Sequence, residues 1–167
     1  MPRVYLSLGS NIEPRRHLGA ALDALAESFG NLLLSPVYES PAVGFEGDHF
    51  LNLVVGVATE LPVGELAQRL RAIEDTNNRR RGAAKFCSRT LDIDILTYGD
   101  AVGVIDGIRL PRDEILRYAF VLRPLADIAP EVEHPAVQRT YRQLAGELDC
   151  ADQPLWPVAF PWPPAAG

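Results

Sequence analysis

The chain has 167 residues and a mass of 18.3 kDa, with 47% hydrophobic and 23% charged residues, which suits one globular domain and excludes wholesale disorder. A net charge of −6 and a pI near 5.0 argue against a general nucleic-acid binder, and no apolar run approaches the roughly eighteen residues of a membrane span. The start, MPRVYLSLGS, lacks a secretory n-region and h-region, so a cytoplasmic protein is expected. Cys87 and Cys150 are too few for a disulfide framework.

Residues 4–8 alternate towards Gly9 and predict a strand, stopped by Gly9-Ser10-Asn11. From His17, the apolar set Leu18, Ala21, Leu22, Leu25 and Phe29 has helical spacing, and Gly30-Asn31 ends it. Residues 32–39 predict a second strand. After a loop with Pro41, Gly44 and Gly47, residues 50–60 predict a long strand, with Leu51, Leu53, Val55 and Val57 on one face and Phe50, Asn52 and Val54 on the other. Pro62 opens a helix with the buried stripe Leu66, Leu70 and Ile73. Residues 76–88 read as a loop and 90–97 as another strand. The order β-α-β-β-α-β predicts an α+β, ferredoxin-like two-layer sandwich. Beyond Gly99 follow an edge strand at IRLP, short helices at RDEILRYAF and PLADIAP, and a last helix at TYRQLAGEL with Thr140 as N-cap, a C-terminal helical extension. The end, ADQPLWPVAFPWPPAAG, holds five prolines and is expected to form no regular element; it either stays loose or docks through Trp156, Phe160 and Trp162.

The sharpest chemical feature is RTLDIDIL, residues 89–96. On a strand, Leu91, Ile93 and Ile95 go to one side and Asp92 and Asp94 to the other, their Cα atoms roughly 6.5–7 Å apart. Two carboxylates on one face repel and call for compensation; a hard divalent cation such as Mg²⁺ is the natural candidate. The alternative is a solvated sheet face with Asp92 paired to Arg89. Fifteen of the sixteen cations are Arg, and Arg79, Arg80, Arg81, Lys85 and Arg89 put five cations into eleven residues just before this strand. Guanidinium groups beside paired carboxylates can build a metal–triphosphate site, although a basic run alone is usually a solvated surface. The chain has no P-loop, no G-x-G-x-x-G turn and no G-x-S-x-G elbow. His17, His49 and His134 show no ligand spacing.

Asn52 is unfavourable inside an apolar strand and, buried, needs partners. Its amide matches an amino-pyrimidinone edge, and Phe50 and Phe120 could stack on a flat ring. The plainer reading gives Asn52 to loop backbone and Phe50 to the core.

YLSLGSN at the start, ESPAVG at 39–44, FLN at 50–52, IE at 73–74, RTLDIDIL with YGD, and FVLRPLADIAP stand in one order and spacing. Through them the chain resembles the 6-hydroxymethyl-7,8-dihydropterin pyrophosphokinase family over about residues 3–135. The resemblance implies a ferredoxin-like fold and transfer of the β,γ-diphosphate of ATP to the pterin hydroxymethyl group, releasing AMP, in folate biosynthesis. It implies that Asp92 and Asp94 bind two Mg²⁺ ions and that Arg79, Arg81 and Arg89 are catalytic. It assigns Ser40, Pro41, Val43, Phe50, Asn52 and Phe120 to the pterin, and Arg71, Glu74, Lys85, Arg89 and Ile95 to ATP; Arg112, after Pro111 at the start of a short helix, is expected to take over the ATP contact of the family's histidine, with Arg117 as the competing candidate. Partners are then these small molecules, with no nucleic acid and no membrane, and the chain is expected to be a monomer. Residues 1–150 would form the single pterin pyrophosphokinase-like domain and 151–167 the proline-rich tail.

The departures cluster on the nucleotide side. Phe86, Cys87 and Ser88 stand where the family usually has Trp and Gly-Pro, and Asn78 stands where it has Gly. Pro111-Arg112 replaces a Pro-His pair, and Tyr118 takes the place of a common arginine, with Arg117 one residue earlier. These mark a divergent member. The alternative is a paralogue that binds a reduced pterin without diphosphate transfer or acts on a different pterin. A ferredoxin-like nucleic-acid binder is a third reading, weakened by the net charge and the lack of an aromatic RNP pattern.

Overall fold

The computed structural model describes residues 1–42, 46–77 and 90–162. Strand β1 (Arg3–Ser10) leads into helix α1 (Pro14–Phe29), where Pro14 occupies the first turn, a position that has no N–H partner to lose. Gly30 ends α1 at φ 78°, its N–H donating to the Ala26 carbonyl. The predicted second strand is two pieces, β2 (Leu33–Leu34) and β3 (Val37–Ser40). Pro36 cannot serve a ladder as donor. Ser35 bridges the break: its N–H donates to the Val54 carbonyl at 3.0 Å and its Oγ accepts the Val54 N–H at 2.9 Å. Strand β4 (Phe50–Ala58), helix α2 (Val63–Thr76) and strand β5 (Asp92–Tyr98) complete the βαββαβ core.

The remaining chain forms a separate hairpin, β6 (Gly103–Ile105) and β7 (Ile108–Leu110), a 3₁₀ turn at Asp113–Leu116, α3 (Ala119–Ile128), α4 (Tyr141–Glu147) and β8 (Trp156–Val158). PLADIAP is not a separate helix: Pro124 lies inside α3, in its second turn. Thr140 caps α4 as expected, and Gln143 closes a reciprocal capping box with it. The proline-rich end does contain a regular element, because β8 pairs with β3. Pro157 fits there because β8 is an edge strand.

The main sheet runs β5-β1-β4-β3-β8 with β2 also on β4, and all its pairs are antiparallel. That is the ferredoxin-like order, with the two central strands from the two halves of the chain. One face carries Val4, Leu6, Leu8, Leu51, Leu53, Val55, Val57, Leu91, Ile93 and Ile95, closed by the apolar stripes of α1 and α2. The opposite face carries Tyr5, Val54 and Leu96 under α3 and α4. The C-terminal extension therefore adds a helical layer to the second face and covers only part of it. Among the described residues, no helix is long and apolar enough to cross a membrane.

Candidate active site

The uncovered part of the second face is polar. Register puts Asp92 opposite Gly9 and Asp94 opposite Ser7 on β1. Strand alternation then sends both carboxylates away from Ile93 and Ile95, as the sequence predicts. The Asp94 side chain remains 36% exposed. Burial, followed by the charge of Asp92, pushes its carboxyl up to about 7, while Arg112 acts in the opposite direction. The Arg112 Nη1 lies 3.6 Å from Asp94 Oδ1, and its other guanidinium nitrogens reach Glu114 at 3.1 and 3.2 Å. Burial alone would raise the Glu114 carboxyl, but this guanidinium holds it below its ordinary value.

β5 is the outer strand of the sheet, so part of its backbone lacks a strand partner. Glu74 on α2, only 6% exposed, supplies one: its Oε2 accepts the Ile93 N–H at 2.8 Å. Ile93 lies between the two aspartates, so this bond fixes the backbone that aims them.

On the third strand counted from the edge, β4, the same face carries Asn52, 5% exposed, whose Nδ2 is 3.4 Å from Ser40 Oγ. Gly9 pairs with Asn52 on one side and Asp92 on the other. A Cβ at Gly9 would stand 2.6 Å from Asn52 Oδ1, which makes glycine a requirement of this arrangement. Tyr38, opposite Asn52 on β3, hydrogen-bonds Asp127 of α3 through its hydroxyl. Burial and this bond push the Tyr38 phenol up to about 12. Arg123 lies over the Tyr38 ring at 5.9 Å. Phe120, Arg123 and Asp127 share one face of α3, and Phe120 stacks on Tyr118 at 5.2 Å.

The structure thus brings Asp92, Asp94, Asn52, Ser40 and Arg112 to one sheet face. Phe50 pairs with Ser40 and is half-buried, and Pro41 follows Ser40 directly. Arg71 is exposed on α2. The Ile95 side chain sits in the core beneath α1 and α2, so only its backbone can serve the nucleotide. Val43, Arg79, Arg81, Lys85 and Arg89 lie outside the described residues. Gly9 reads in the sequence as the stop of its strand, whereas β1 continues to Ser10 and Gly9 is paired on both sides; the Glu74–Ile93 bond has no signal in residue type.

Among the described residues, no group of three or more His, Cys, Asp or Glu side chains is placed to hold a metal. Two carboxylates nevertheless suit Mg²⁺, which is usually held by one or two carboxylates while water and substrate phosphate complete its shell. The raised Asp94 carboxyl marks negative charge that a bound cation would neutralise.

Comparison with known proteins shows the family and the fold. Residues 5–130 match the family described as 7,8-dihydro-6-hydroxymethylpterin-pyrophosphokinase (HPPK). A 2-amino-4-hydroxy-6-hydroxymethyldihydropteridine pyrophosphokinase of Pseudomonas aeruginosa is 39% identical over 137 residues, covering 80% of this chain and 84% of its own length. The protein of the same name in Aquifex aeolicus is 34% identical over 149 residues, covering 88% and 92%. The fold is also that of a Plasmodium falciparum HPPK-DHPS crystal structure, with a TM-score of 0.66 at 17% identity over 87% of this chain and 43% of that one. The chain belongs to the 7,8-dihydro-6-hydroxymethylpterin-pyrophosphokinase family and is an ATP-dependent pyrophosphokinase.

Proposed function

We propose that this pyrophosphokinase of folate biosynthesis works on the sheet face between Ser40 and Asp94, moving the β,γ-diphosphate of ATP to the hydroxymethyl oxygen of 6-hydroxymethyl-7,8-dihydropterin. The observation that carries this placement is the row Asn52, Gly9, Asp92, three adjacent strands with a heterocycle-reading amide on one side and a carboxylate on the other. At about 4.8 Å per strand, the backbones of Asn52 and Asp92 lie roughly 10 Å apart, room for a flat ring beside a phosphate chain.

Asn52, seated by Ser40, reads the pterin amide edge; Phe120 and Phe50 wall the ring, and the Pro41 and Val43 backbone closes its rim. Asp92 and Asp94 would hold the two Mg²⁺ ions, since their common strand face aims both carboxylates at one place. Bound there, the ions supply charge neutralisation on the phosphates. The pterin oxygen forms a bond to the β-phosphorus as the bond to the α,β-bridging oxygen breaks, and AMP leaves. Arg79, Arg81 and Arg89 stabilise the charge on that bridging oxygen. Lys85, Arg71, the Ile95 backbone and Arg112 bind ATP. Arg112 owes nothing to a helix terminus here, since the 3₁₀ turn after it begins with Asp113 and Glu114; its permanent guanidinium charge beside Asp94 supports the assignment. Glu74 borders the nucleotide and holds β5 in place.

AMP release from ATP and Mg²⁺, measured with and without 6-hydroxymethyl-7,8-dihydropterin, tests this reading. AMP should form only with the pterin. Pterin binding without AMP would instead favour the binding-only paralogue.

A further inference from the structure

Outside the catalytic residues, the C-terminal segment 153–162 touches both walls of the proposed pterin cleft. One wall is the start of α3, where Phe120 stands. Tyr118 at its N-cap makes no side-chain capping bond. Gln153 supplies the cap instead: its Oε1 accepts the Ala119 N–H at 2.8 Å and its Nε2 donates to the Arg117 carbonyl at 3.0 Å. The other wall is β3, which ends at Ser40 beside Asn52. β8 pairs with it at Val37–Val158, Tyr38–Pro157 and Glu39–Trp156. The Trp156 ring meets His49 edge-on at 5.6 Å, and His49 Nδ1 is 3.0 Å from Glu39 Oε2.

Only Pro154 and Leu155 separate Gln153 from Trp156, a span of at most about 11 Å between their Cα atoms. The far end is fastened to α1. Arg15 donates to the Ala159 carbonyl at 2.7 Å and lies over the Phe160 ring at 5.8 Å, and Trp162 Nε1 donates to Asp23 Oδ1 at 2.8 Å. A connection this short, held at both ends, fixes the distance between the two elements that it joins.

We propose that segment 153–162 is a strap that sets the gap between the Phe120 wall and the Ser40–Asn52 wall, with Gln153 as its positioning residue. The proposal rests on the pterin cleft assigned above. Releasing Gln153 frees the first turn of α3 and lets Phe120 drift from the ring, while the aspartates on β5, at the opposite side of the sheet, keep their geometry. Pterin affinity falls and nucleotide affinity does not.

The test is calorimetric binding of 6-hydroxymethyl-7,8-dihydropterin, and separately of a non-hydrolysable ATP analogue with Mg²⁺, to full-length wild type, Gln153→Ala, Gln153→Glu and Asn52→Ala. Gln153→Ala removes both bonds to the start of α3 and should weaken pterin binding about threefold to tenfold while leaving the nucleotide within about twofold. Gln153→Glu keeps the acceptor for the Ala119 N–H but loses the donor to the Arg117 carbonyl, and should recover only part of the loss. Wild-type pterin affinity in Gln153→Ala, with Asn52→Ala weakened, overturns the strap and leaves the cleft standing. Equal weakening of both ligands in Gln153→Ala also overturns it, since a general loss of structure would do the same. Unchanged pterin affinity in Asn52→Ala removes the cleft itself, and the strap with it.

Discussion

The two faces of the central sheet follow different rules. Beneath α1 and α2, the inward positions within residues 4–8, 51–57 and 93–95 are aliphatic and buried. Beneath α3 and α4, the pattern holds through Tyr5, Val54 and Leu96 and then changes to Gly9, Asn52, Asp92 and Asp94. The first face stabilises by burying apolar area. The second gives up such burial over half its length and sets two carboxylates side by side, one of them pushed up to about 7. Strand alternation and pairing are the same on both faces, and the polar half is the part proposed above to bind substrate.

Substitutions that exchange the roles of the two faces should separate them. Leu53 is 1% exposed on the closed face. Leu53→Ala should cost about 2–5 kcal/mol in denaturant unfolding while the folded fraction keeps its pterin affinity. Gly9→Ala belongs to the other face, where the new methyl would push the Asn52 amide aside. It should weaken pterin binding by about 1–3 kcal/mol, the usual result of leaving a buried partner unpaired, with a smaller change in stability. Calorimetry beside a melting curve distinguishes the two variants.

The smallest effect concerns pH. Because the Asp94 carboxyl is raised in the folded chain, the folded state keeps a proton that the unfolded state has released between about pH 4 and pH 7. Stability contributed at this site is therefore lost as pH rises through that window. Asp94→Asn should melt higher than the wild type at pH 8 in the presence of chelator, and the gap should close by about pH 4. An equal or lower midpoint at pH 8 would mean that the carboxylate is not under electrostatic load.

Much of this was legible in the residues. The period-two pattern of 91–95 places the aspartates opposite the core, and the helical stripes of α1 and α2 predict the closed face. What escaped depends on pairing between distant segments. That Gly9 stands between Asn52 and Asp92 follows from register, which no single strand declares. The resemblance assigns Glu74 to ATP, and only the structure shows its oxygen on the Ile93 N–H. The tail reads as irregular because Pro157 forbids a central strand, yet an edge position accepts it. Pro124 suggests a helix start, whereas α3 begins at Ala119 and carries the proline inside.

The central claim is that the paired carboxylates of the polar half carry the reaction and add no stability to the fold at neutral pH. Mg²⁺-dependent AMP release by Asp94→Ala, with ATP and 6-hydroxymethyl-7,8-dihydropterin both saturating for the wild type, tests it most directly. The account predicts turnover reduced to background in a protein whose circular dichroism and melting remain those of a folded chain. Wild-type turnover in that variant would contradict it and move the metal site elsewhere.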